Sequence, residues 1–147
     1  AMPQFPHEEV AFESGINVRF TIYNSNNDYI PEHWHRSMEV IYIYEGSMEL
    51  IEGQRVLLLH AGDYHVVNSA AVHATRTTTP SRVLLLQIPY AFLIGAIPEY
   101  ESIRFLFSHR DSSADAQIQE ILTSIQKNRK AILCGFPVCF MIFYTSL

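Results

Sequence analysis

From residue 16 to residue 88, apolar and polar side chains alternate in short runs separated by turn-forming residues. Over Ile16–Tyr23, Ile16, Val18, Phe20 and Ile22 share one face and Asn17, Arg19 and Thr21 the other, the period of a β-strand. Asn24–Asp28 is a turn cluster. The pattern then predicts strands over Tyr29–His35, Met38–Glu45, Ser47–Glu52, Arg55–His60, Tyr64–Asn68, Ala74–Thr79 and Arg82–Ile88. Gly46, Gly53 and Ala61-Gly62-Asp63 punctuate them, and Gly53-Gln54 reads as a hairpin turn. Short strands at this spacing make a sandwich or barrel.

Two features modify that picture. Met38–Glu45 is apolar on both faces, so the side carrying Met38, Val40, Tyr42 and Tyr44 needs an outer cover. Helices near the C-terminus are the expected cover. Pro89 closes the β region, and Tyr90–Pro98 reads as a short helix plus loop, with Glu101–Phe107 as an edge strand. Ile118, Ile121, Leu122 and Ile125 recur at helical spacing, predicting a helix near Ala114–Lys127. Gly135 and Pro137 then mark a break before a second, wholly apolar helix over Pro137–Leu147. Residues 1–15, with Pro3 and Pro6 and no sustained period, read as an arm, residues 16–107 as the barrel and 108–147 as the helices.

Candidate chemistry concentrates in four residues: His33, His35, Glu39 and His73. Side chains two apart on a strand share a face, with Cα atoms roughly 6.5 Å apart, so His33 and His35 can lean onto one ion. On a straight strand Glu39 would sit roughly 13 Å from His35, so a corner at Arg36-Ser37 has to swing it back. His73 must arrive from a later strand crossing the same face. Arg19 points with the polar set toward a cavity mouth. Trp34 has the opposite parity and is expected to pack outward. His60 and His65 fall outside the set, and His65 is the better spare ligand of the two.

These residues resemble the cupin motifs. The chain has His33-x-His35-x3-Glu39-x6-Gly46 and then Gly62-x5-Asn68-x-Ala70-x2-His73. It departs from the cupin pattern at Asn27 for the first Gly, at Asn68 and Ala70 for Pro-x-Gly, and at Thr77 for Asn. The implied fold is mainly β, a double-stranded β-helix or jelly-roll barrel followed by α-helices. His33-Trp34-His35, Glu39-Val40-Ile41-Tyr42, Gly46, Leu59-x-Ala61-Gly62-Asp63 and His73 further resemble the N-terminal sensor domain of AraC-type transcription regulators. That resemblance implies an effector-sensing and dimerisation domain for a small polar ligand such as a sugar, with the arm able to fold over the ligand. His33, His35, Glu39, His73 and Arg19 are the expected ligand-binding residues. The first four are also the expected ligands of a divalent transition metal, Zn, Ni, Mn or Fe. It also implies a homodimer formed through the C-terminal helices, and DNA contact through a helix-turn-helix domain beyond Leu147. The alternative is a free-standing metal-dependent cupin enzyme, a dioxygenase or isomerase; the regulator reading expects no enzymatic activity.

Composition supports a folded domain without a nucleic-acid grip. Apolar residues make up 48% of the 147, and 10 scattered Lys and Arg face 15 Asp and Glu, for a net charge of −5. A phosphate backbone needs a basic face. Cys134 and Cys139, five apart in an apolar run, are poorly placed for a disulfide and read as buried thiols in a reducing compartment. No signal peptide or membrane span is expected, so the expected location is the cytoplasm.

Overall fold

Among the described residues, eight strands begin and end close to where the alternation does. They are β1 (Arg19–Ser25), β2 (Asp28–His33), β3 (Met38–Glu45), β4 (Ser47–Glu52), β5 (Arg55–His60), β6 (Tyr64–Val67), β7 (His73–Thr77) and β8 (Ser81–Ile88). The structure, a computed structural model, describes residues 4–11, 18–105, 116–117 and 120–123. The chain divides into two compact units, Ala1–Arg104 and Phe105–Leu147.

In the first unit two four-stranded antiparallel sheets have the orders β1-β8-β3-β6 and β2-β7-β4-β5. This mainly β arrangement is the expected jelly-roll form. The register builds rows across the first sheet. Arg19, Gln87, Glu39 and Val67 form one row, Thr21, Leu85, Ile41 and His65 the next, and Tyr23, Val83 and Ile43 a third. In the second sheet Ile30, Thr75, Leu50 and Leu57 form a row. An apolar cluster of Ile41, Ile43, Met48, Leu50, Leu59, Val67 and Val83 fills the space between the sheets, with Tyr23 and Leu85 packed against it. Burying each such side chain contributes about 1.5–3 kcal/mol.

Both faces of β3 are buried, as its composition predicts: Met38, Val40 and Tyr42 on one side and Glu39, Ile41 and Ile43 on the other. Gly46 links β3 in one sheet to β4 in the other at φ +78°. A Cβ there would strike the Pro80 carbonyl oxygen and Ser81 Oγ and lie 2.8 Å from Ser81 Cα. Only glycine fits this corner.

After β8, helix α1 (Tyr90–Ala96) follows Pro89. The expected edge strand at Glu101–Phe107 is not formed at its start. Tyr100–Ser102 is instead a 3-10 turn, led by Glu99 at φ 55° and closed by Ser102 N–H donating to Glu99 O at 2.8 Å. The alternating pattern there lost to local i→i+3 bonding. In the second unit residues 116–117 and 120–123 are helical, with Leu122 buried, within the expected helix. The helix over Pro137–Leu147, Cys134 and Cys139 lie outside the described residues. Among the described residues no helix is long and apolar enough to cross a membrane.

Candidate metal centre

Each of the four candidate residues reaches the site by a different local device. β2 carries a register shift between Ile30 and His33, a bulge at Pro31-Glu32 on an edge strand, where proline is tolerated. The extra residue sets His33 directly opposite His73 of β7. Past β2 the chain bends at Arg36-Ser37, the expected corner, and enters β3 with Glu39 on the inward row. Three histidines converge: one ring nitrogen from each of His33, His35 and His73 lies within 4.8 Å of the others. Ring centroids are 4.3 Å apart for His33–His73 and 5.1 Å for His35–His73. Glu39 sits beside them, its Oε2 at 3.2 Å from His35 Nε2 and its Oε1 at 3.7 Å from His73 Nε2.

Hydrogen bonds fix which nitrogen faces inward. His33 Nδ1 lies 2.9 Å from Pro31 O, His35 Nδ1 2.9 Å from Ser37 O, and His73 Nδ1 3.0 Å from Ala71 O. A carbonyl only accepts, so each Nδ1 carries the proton and each neutral ring turns a bare Nε2 inward. This is the outer-shell arrangement that orients metal-binding imidazoles. His73 Nε2 is buried and, among the described residues, has no hydrogen-bond partner. An orphaned lone pair of this kind beside a carboxylate and two other imidazoles fits a divalent cation. The fit with the expected metal is therefore physical as well as positional.

Electrostatics separate the four groups. Burial alone pushes the Glu39 carboxyl up, but the hydrogen bond from His35, the His73 and His35 rings and the Gln87 amide outweigh it, so its pKa lies below the ordinary carboxylate value. Gln87 Nε2 donates to Glu39 Oε2 at 2.9 Å. Burial pulls His35 down, but the Glu39 hydrogen bond and charge, the Ser37 carbonyl and Glu8 more than offset it, and His35 ends above the ordinary imidazole value. Burial wins at His73, which ends below it despite Glu39 and the Ala71 carbonyl. Of these two rings His35 takes a second proton the more readily, and from Nε2 donates it to Glu39 Oε2. His73 stays neutral.

Other expectations fare differently. Arg19 is exposed, in the same row as Gln87 and Glu39. His65 does not join the cluster; its Nε2 lies 3.5 Å from Glu52 Oε1, and that hydrogen bond holds the Glu52 carboxyl below its ordinary value. His60 is exposed. Trp34 turns away from the ligands, as its parity requires: its ring lies 4.3 Å from that of His7, and its Nε1 donates to Phe5 O at 3.2 Å. Gln87 and Glu8 were not singled out from sequence, and Ser37 only as part of the Arg36-Ser37 corner. A lone glutamine in the apolar run Val83–Ile88 was the available signal for the first. A cavity of about 270 Å³ lies between residues 7–10 and the segment His35–Ser37, with Tyr90 on its wall.

The second motif's turn also explains itself. Ala70, standing where the cupin pattern has glycine, adopts φ 62°. Its N–H donates to His35 O at 2.8 Å, tying the turn to the ligand strand.

The two four-stranded antiparallel sheets have the form of a cupin fold. Residues 20–89 match the Cupin_2 family, described as a cupin domain. No curated protein matches the chain. Among solved structures, it is similar to a cupin-2 domain containing protein from Shewanella frigidimarina, with 17% identity, TM-score 0.47, and coverage of 60% of this chain and 85% of that one. A putative ethanolamine utilization protein from Salmonella typhimurium shares 17% identity at TM-score 0.48, covering 52% of this chain and 61% of that one. The DMSP lyase DddQ from Ruegeria pomeroyi shares 27% identity at TM-score 0.47, over 51% of this chain and 40% of that one. The chain thus spans less than two thirds of the length of the last two.

Proposed function

We propose that this cupin domain holds a divalent transition metal at His33, His35, Glu39 and His73 and offers it to a small polar ligand in the adjoining cavity. We further propose that it does so as the effector-sensing and dimerisation domain of an AraC-type transcription regulator. The orphaned, buried Nε2 of His73, in a ring whose Nδ1–H is already committed, carries the metal reading. The bound ion would supply a Lewis-acidic site for a hydroxyl or carboxylate of the ligand. His33, His35 and His73 hold their rings by backbone hydrogen bonds, and Gln87 holds Glu39. A cavity of about 270 Å³ suits a sugar-sized effector better than a larger one. The regulator reading rests on the sequence resemblance carried by His33-Trp34-His35, Glu39-Val40-Ile41-Tyr42, Gly46, Leu59-x-Ala61-Gly62-Asp63 and His73, and brings with it a homodimer through the C-terminal helices.

A metal-dependent cupin enzyme is the second reading, favoured by three converging histidines with Glu39 beside two of them. Elemental analysis of protein purified without chelator tests the centre: one equivalent of metal is expected, lost in His35→Ala. Metal-free preparations under metal-replete growth would overturn it. Two helix-turn-helix patterns encoded downstream of Leu147 separate regulator from enzyme.

A further inference from the structure

The segment at residues 5–8 runs beside the end of β2. His7 forms a parallel bridge with Trp34; Glu8 N–H donates to Trp34 O at 2.8 Å and Trp34 N–H to Pro6 O at 3.0 Å. Alternation along this short pairing sorts the side chains. His7 and Trp34 stack on one side, while Glu8 shares the other with His33 and its Oε2 lies 3.5 Å from His33 Nε2.

That distance carries the argument. His33 Nδ1–H is spent on Pro31 O, so in the neutral ring a bare Nε2 faces a carboxylate oxygen, acceptor against acceptor. The same opposition occurs between His73 Nε2 and Glu39 Oε1 at 3.7 Å. A cation between each pair removes both conflicts. With metal bonds near 2.1 Å, neighbouring ligand atoms of a coordination sphere stand roughly 3.0–3.4 Å apart. Of the separations here, 3.2 Å falls within that range, and 3.5 and 3.7 Å exceed it by a few tenths of an ångström.

Resting on the metal reading above, we infer that Glu8 is a further ligand to the same ion, so that metal binding fastens the N-terminal segment to the barrel. The competing arrangement is an ion pair of Glu8 with a protonated His33. It predicts the opposite sign, because a metal that displaces the His33 proton would release the segment.

The test uses Zn(II) on the whole chain, with affinity read by competition with a chromophoric chelator. Amide hydrogen exchange is followed at Glu8 and Trp34. In the wild type, Zn(II) is expected to slow both amides. Glu8→Gln is expected to bind Zn(II) about tenfold more weakly and to show no metal-induced slowing. Glu32→Gln, which removes a nearby charge bonded instead to Tyr29, is expected to match the wild type. Near-ultraviolet circular dichroism checks that the variants stay folded. Wild-type affinity and protection in Glu8→Gln would overturn the Glu8 assignment alone, as would faster exchange in the wild type on adding metal. Failure of the wild type to bind Zn(II) would overturn the metal centre and the Glu8 assignment with it.

Discussion

Replacing His73 by leucine should separate what this residue does for the fold from what it does for the ion. In the metal-free protein its buried Nε2 has no hydrogen-bond partner among the described residues, a condition that costs about 1–3 kcal/mol. Leucine is of similar size and has no polar atom to bury. The substitution forfeits the Nδ1–H bond to Ala71 O, worth about 1 kcal/mol net. Ala71 is only partly buried, so water can take over its carbonyl. The balance is a gain of about 1 kcal/mol for metal-free His73→Leu, or about 3 °C in Tm for a domain of this size. With metal at a hundredfold excess over Kd, the wild type gains about 2.7 kcal/mol and the variant nothing. The order of stabilities should therefore invert between chelator and metal. Urea unfolding in EDTA and in Zn(II) reads both states. A His73→Leu variant less stable than wild type by about 2 kcal/mol or more in EDTA would refute the reasoning, since the ring would then be a structural element rather than an ion ligand.

Two further outcomes are expected. Metal affinity should fall on acidification, starting above the ordinary imidazole value of about 6.5, because the raised His35 must lose its Nε2 proton to bind. In the metal-free protein the His35 proton stabilises the fold below about 6.5, and that contribution disappears as pH rises through its folded value. Glu39, lowered, contributes above the ordinary carboxylate value and loses its contribution as pH falls through its folded value. Isothermal titration at several pH values, in buffers of different ionisation enthalpy, counts the proton released; an affinity flat from pH 6 to 8 would contradict this. Ala70→Gly should raise stability by about 0.5–1 kcal/mol, since relief of a left-handed alanine exceeds the added freedom of glycine in the unfolded chain. Thermal unfolding checks the sign.

Most of the barrel was legible because its strands are separated by residues with strong local preferences. Gly46 and Gly53 both take positive φ, and Met38–Glu45, Ser47–Glu52 and Arg55–His60 have the bounds their alternation implies. The bend at Arg36-Ser37 was legible as a geometric need: without it Glu39 cannot return to His35. What was not legible depends on pairing across distance. The bulge at Pro31-Glu32 is a property of β2 against β7, and it is this register that puts His33 opposite His73. Parity within Tyr29–His35 cannot reveal it. Gln87 reaches Glu39 only because β8 lies beside β3, forty-eight residues away in sequence. Glu8 is placed by a single bridge in a segment without periodicity. His65 illustrates the converse: suitable parity, yet its nearest carboxylate is Glu52.

The interior of the barrel is divided in a way that accounts for the tolerance of so costly a site. Ile43, Met48, Leu59 and Val83 are packed among apolar neighbours, while Glu39 and Gln87 occupy the row nearest the histidines. Stability can then come from the apolar cluster, leaving the histidine end to carry a buried carboxylate and an unsatisfied lone pair. The three Nδ1–H bonds to Pro31, Ser37 and Ala71 have a second effect. They fix the rings before any ion arrives, so little side-chain entropy remains to be lost on binding. The principal competitor is then the proton that His35 shares with Glu39. An ion bound here would compete with protons chiefly at His35, whose backbone carbonyl also accepts from the N–H of Ala70, a residue at φ 62°. The histidine cluster and the loop that leads into β7 are therefore joined at His35.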